Sequence, residues 1–173
     1  MVRFDSPSRC SAGSQISFRW YGFPQCNLGE DLDAAVEKLI SAVSGENRVW
    51  NPYARAMVNA EFKRRIQKAA AGKLKPVDEV KPIDVANPPP LYEIRWQEIP
   101  VTEVDSQGNQ IHKQVLVRMY HSEPSSLPAY FVGHHAHEKL VDVEDVNAVQ
   151  QDEIRAAIRW HNHGEGSLWG IAT

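Results

Sequence analysis

Ten residues, VGHHAHEKLV at 132–141, set three histidines, a glutamate and a lysine between apolar residues. Imidazoles suit two chemistries. They ligate transition metals, and with an unperturbed pKa of about 6.5 they move protons near neutrality. In a strand, His135 and His137 project from one face. His161 and His163 form a second His-x-His pair further along. Brought together, His135, His137, His161 and His163 could hold zinc, nickel or another transition metal. The pattern lacks the spacing that makes a metal motif specific. The expectation is therefore no metal or other cofactor, with the four-histidine set as the alternative.

These residues need elements to position them. Residues 1–29 are rich in Ser, Gly and Pro, with scattered aromatics, and read as an irregular arm. GEDLDAAVEKLISAVSG (29–45) puts Leu32, Val36, Leu39, Ile40 and Val43 at helical spacing. A second helix is predicted from Pro52 to about Ala71, capped by Asn51 and stopped by Gly72. Its apolar stripe reads Tyr53, Met57, Phe62, Ile66 and Ala69. Together 30–72 form a helical hairpin. The prolines of 73–90 mark a linker.

After 90 the apolar period becomes two. LYEIRWQEI (91–99) turns Tyr92, Ile94 and Trp96 to one face and Leu91, Glu93, Arg95 and Gln97 to the other. DSQGNQ is a turn, a second strand covers about 111–121, and AYFVGHHAH (129–137) is a further strand. An acidic stretch follows, then a short amphipathic helix over 150–163. The expected fold is α+β: an N-terminal helical hairpin, then a small antiparallel β-sheet closed by a C-terminal helix, with the sheet and last helix in 91–173.

Charge narrows the function. The chain of 173 residues has a net charge of −3, so it has no general attraction to phosphate backbones. Residues 1–90 hold 13 Lys+Arg against 10 Asp+Glu, and residues 91–173 hold 6 against 12. All seven histidines lie in the second part, so chemistry there rests on them and a few cations. No apolar run is long enough for a membrane span, and the N-terminus lacks the apolar stretch of a secretory signal. Cys10 and Cys26 have no CxxC spacing; they could pair, but nothing requires it. A cytoplasmic protein with reduced thiols and no membrane partner is expected.

VRMYHSEPSSLPAYFVGHHAHEKLVDVEDVNAVQQDEIRAAIRW runs from an arginine-bearing strand through a proline turn to an apolar strand ending in Gly-His. A polar pair ending in lysine follows, then a helix of form E-I-x-x-A-x-x-R. This order resembles the C-terminal part of toxins of the RelE/ParE superfamily, most closely the HigB-type, phage-related branch. It covers about 45 residues, with LYEIRW as a plausible first strand. The chain departs from the family in His137-Glu138-Lys139 where adjacent lysines are usual, and in the acidic insertion DVEDVNAVQ. Its second half is acidic, and its helices stand before the linker, whereas the family often places helices between the first strands.

The resemblance implies ribosome-dependent cleavage of messenger RNA, with the leading helices binding an antitoxin or a second copy of the chain. The RNA's 2′-hydroxyl would be the nucleophile. One group must take its proton, another must protonate the leaving 5′-oxygen, and a cation must steady the phosphate. On the matched positions Arg118 and Lys139 would hold phosphate, His137 would act as acid or base, with His121 a second acid–base candidate, and Arg155 and Arg159 would touch RNA. Arg118 could equally pair with Glu93 or Glu123, and Arg155 with Asp152, as ordinary ion pairs. A non-catalytic interaction protein that keeps the sheet as a docking surface is the other function in view.

Overall fold

A computed structural model describes residues 6–25, 30–83 and 90–172. The elements run β1 (Ser17–Trp20), α1 (Asp31–Ala42), α2 (Pro52–Ala70), β2 (Val80–Ile83), β3 (Leu91–Val104), β4 (Gln110–Ser122), β5 (Tyr130–Lys139) and α3 (Val146–Glu165). The strands form one sheet in the order β1-β5-β4-β3-β2. β2, β3, β4 and β5 are successively antiparallel, while β1 runs parallel to β5.

The expected hairpin followed by an antiparallel sheet is therefore corrected. The protein is α+β, but its sheet is mixed and five-stranded, and its first strand precedes the helices. SFRW is too short to show a period, and its partner lies more than a hundred residues away, so local pattern could not reveal it. β2 likewise falls inside the stretch read as a linker. The two leading helices thus lie between the first and second strands of the sheet.

The sheet is the middle layer. On one face α1 and α2 bury Val36, Leu39, Phe62 and Ile66 against Ile94, Trp96, Val117 and Met119 in the main core. Phe62 meets Trp96 edge-on at 5.4 Å. Asn51 caps α2 through Ala54 N at 2.7 Å, as its position before Pro52 predicts. Its buried stripe, however, uses Val58 where Met57 was expected; Tyr53 and Met57 stay exposed. On the other face α3 buries Ile154 and Ala157 against Leu91 and Tyr120. α3 begins four residues before the predicted 150 because the Asp145 side chain accepts from Ala148 N at 3.0 Å. That cap recruits the end of the acidic stretch into the first turn.

Gly133 is what lets β1 dock. It lies opposite Trp20 in register, and a Cβ there would stand 2.9 Å from the Trp20 ring. That ring is buried, and its Nε1 donates to Pro24 O at 2.8 Å, so it has nowhere to go. Gly133→Ala should lower unfolding stability by about 1–3 kcal/mol, the usual cost of overpacking. A urea midpoint equal to that of the parent would show that β1 yields to the added methyl.

Candidate functional site

Arg118, His137 and Lys139 share the α3 face of the sheet. Arg118 is opposite His137 in the β4–β5 register, and Lys139 lies two residues further along the same face. The other sequence candidates are elsewhere. His121 points to the opposite face, paired with Tyr92 in register and stacked on its ring at 5.5 Å. Arg155 and Arg159 are exposed on α3, whose buried side carries Ile154, Ala157 and His161. Arg155 is held by Asp152, three residues earlier.

The four-histidine set does not gather. His135 and His137 stack at 6.2 Å, but His161 packs on Trp169 and His134, and His163 binds the Tyr21 hydroxyl through Nδ1 at 2.7 Å.

Around Glu93, the expected partner of Arg118, the structure adds Arg95 of β3 and Lys81 of β2. Glu93 is almost fully buried, and its Oε1 lies 3.4 Å from Arg95 Nε, 3.7 Å from Lys81 Nζ and 3.8 Å from Arg118 Nε. Three cations thus face one carboxylate oxygen. The pairing is loose: Arg118 Nε, Arg95 Nε and Glu93 Oε2 have no hydrogen-bond partner among the described residues. Arg118 is fixed instead through NH1, which donates to Val117 O at 2.9 Å and Trp96 O at 3.1 Å. The Arg118–Glu93 pair was one of the ordinary ion pairs expected; Glu123 is engaged on the other face of the sheet.

Lys139 feels the same crowding. Burial, then the charge of Arg118, holds its ammonium below the usual lysine range, with Lys81 and Arg95 adding to the effect and Glu93 opposing it. Burial likewise lowers Arg118.

The proton-carrying groups sit beside these cations. His137 Nδ1 lies 3.0 Å from Glu138 O, a carbonyl that can only accept, so Nδ1 bears the proton. In the neutral ring Nε2 must then accept, and the Tyr120 hydroxyl donates to it at 2.9 Å. Burial pushes His137 down to about 4, against the opposing pull of the Glu153 charge. Next to it, His135 pairs with Glu153 of α3, and that hydrogen bond holds the Glu153 carboxyl below its ordinary range. Burial also raises Tyr120. The arrangement is a neutral imidazole and a phenol beside excess positive charge.

Comparison with known proteins gives no match to a family model, to a curated protein or to a solved structure. Among the described residues, no helix is long and apolar enough to cross a membrane.

Two of the buried histidines, His134 and His137, set an acid limit. His134 is pushed down to about 3 by burial, with Nδ1 donating to Tyr21 O at 3.1 Å. Both rings are neutral when folded and take up protons below about 6.5 when unfolded. The unfolded state then binds more protons, so stability falls as pH drops from about 6.5 towards 4. Urea midpoints measured from pH 7.5 to 4.5 should decline through that window, and less steeply in His137→Gln. A flat profile would mean that the rings are protonated in the fold.

Proposed function

We propose that this chain is a RelE/HigB-like toxin whose α3-side sheet face engages RNA phosphate, with cleavage of messenger RNA on the ribosome as its activity. One observation carries the reading: Lys81, Arg95, Arg118 and Lys139 crowd a place where Glu93 is the shared counterion. A buried excess of positive charge with unsatisfied guanidinium N–H groups favours an anion, and phosphate offers several acceptor oxygens. This local excess lies within an acidic half of the chain. The element order adds support, because helices placed between the first strands are what the resemblance leads one to expect.

The roles follow from position. Lys139, partly exposed, and Arg95 meet the scissile phosphate. Arg118, fully buried, stands behind them and orients Glu93. His137, neutral at pH 7, takes the proton of the RNA 2′-hydroxyl once Tyr120 releases its Nε2. That hydroxyl oxygen attacks phosphorus, and the 5′-oxygen leaves with a proton from Tyr120 or water. An antitoxin partner belongs to the same proposal.

The burial of Arg118 and His137 favours a second reading, in which the network only stiffens a docking surface. Ribosomes programmed with a defined message separate the two. Under the first reading, purified protein cuts the message, with His137→Gln slowing cutting by about 10²-fold or more, as for loss of a general base, and Lys139→Ala weakening it as well. Absence of cutting by the parent chain refutes it in favour of the docking surface, and undiminished cutting by both variants refutes the roles given to His137 and Lys139.

A further inference from the structure

On the opposite face of the sheet, two segments remote in sequence bring three donor atoms together. Cys10 comes from a short 3-10 turn (Arg9–Ser11), His121 from β4 and Glu123 from the loop after it. Cys10 and His121 are fully buried and Glu123 nearly so. Their ligand atoms lie within 4.8 Å of one another. We infer that Cys10 Sγ, His121 Nε2 and Glu123 Oε1 form a site for a borderline divalent transition metal of the zinc class, which fastens the N-terminal arm to the sheet.

The distances fit such an ion. Cys10 Sγ is 3.7 Å from His121 Nε2, and that nitrogen is 3.0 Å from Glu123 Oε1. A tetrahedral ion with bonds of about 2.3 Å to sulfur and 2.0–2.1 Å to nitrogen and oxygen sets donor-to-donor edges of about 3.3–3.6 Å. Both separations need shift only by a few tenths of an ångström. Without a metal the same atoms are joined by hydrogen bonds: the His121 Nε2 proton serves Glu123, and the Cys10 thiol has Ser8 and Glu123 as partners.

Ring orientation is set by packing, since His121 Nδ1 has no partner among the described residues. Tyr92 stacks on the ring, and Phe131 meets it edge-on at 5.4 Å.

The surroundings hold the donors in place. Glu123 accepts from Ser8 Oγ, and from Arg9 N through Oε2 at 2.8 Å. Ser8 Oγ also accepts from Cys10 N at 3.1 Å. The Arg9 guanidinium is occupied by four carbonyls, those of Glu123, Pro124, Leu127 and Tyr130, all at 3.0–3.1 Å. It therefore closes the loop around the site without neutralising Glu123 directly. A thiolate and a carboxylate balance a divalent ion, and the thiol proton leaves to solvent on binding. Three protein donors leave one position for water or a small ligand. A cavity of about 750 Å³ borders the site at Glu123, Arg9 and Tyr92. This site shares no residue with the cationic face, so its existence and the ribonuclease reading stand or fall separately.

Metal-stripped full-length protein titrated with Co²⁺, and with Zn²⁺ against a chromophoric chelator, provides the test. One equivalent of either ion should bind, and the Co²⁺ complex should show a thiolate-to-cobalt charge-transfer band. Cys10→Ser should abolish the band and weaken Zn²⁺ binding by about 100-fold or more, above the loss typical of an outer-shell change. Cys26→Ser should keep both. If Cys10→Ser fails to fold, the parent spectrum together with that of Cys26→Ser still decides the matter. No stoichiometric uptake, uptake without the band, or a band lost with Cys26 overturns the inference.

Discussion

A buried carboxylate facing three cations is the constraint around which the α3 side of this sheet is arranged. Glu93 projects from the buried start of β3, where a charge without partners would cost several kcal/mol. Lys81 from β2, Arg95 from β3 and Arg118 from β4 supply the partners, so the interaction ties three adjacent strands across one face. The cost is a surplus of positive charge. Burial and, after it, this charge depress the Lys139 ammonium, and the surplus makes this face unlike the rest of an acidic half.

The two faces divide the labour of the fold. α1 and α2 cover one with an apolar layer through Phe62, Ile66 and Leu39. α3 covers part of the other, meeting Leu91 and Tyr120 and contacting β5 through Glu153 on His135 and His161 on His134. The remainder of that face is polar. Alternation along β4 keeps Arg118 and Tyr120 there and sends His121 to the apolar side, where it meets Cys10 and Glu123. One strand thereby serves two clusters with different chemistry.

Local periodicity made much of this legible. The split of LYEIRW into Tyr92, Ile94, Trp96 against Glu93 and Arg95 is the split the sheet shows. The DSQGNQ turn was equally plain from Gly108 and Asn109: Gly108 takes φ +83°, and the structure adds that the Asp105 carboxylate accepts from Gln107 N and Asn109 N. What was hidden depended on distant pairing. β1 needs β5, and Cys10 needs a loop that follows β4 by sequence but adjoins the arm in space. Met57 was mistaken for core because a helical stripe drawn one residue off still looks apolar, and only packing selects Val58. His121 was grouped with Arg118 by nearness in sequence, although three residues along a strand reverse the face.

The central claim is that the charge gathered around Glu93 is a phosphate site. The most direct measurement is an NMR titration of labelled protein with a short RNA carrying a 2′-deoxy substitution, which binds but cannot be cut. Side-chain signals of Arg95, His137 and Lys139 should move together and saturate, with affinity falling steeply as salt rises. Signals that stay fixed on this face, or that move only at Arg64 and Lys63 of α2, would contradict the claim and leave Glu93 as a purely structural counterion.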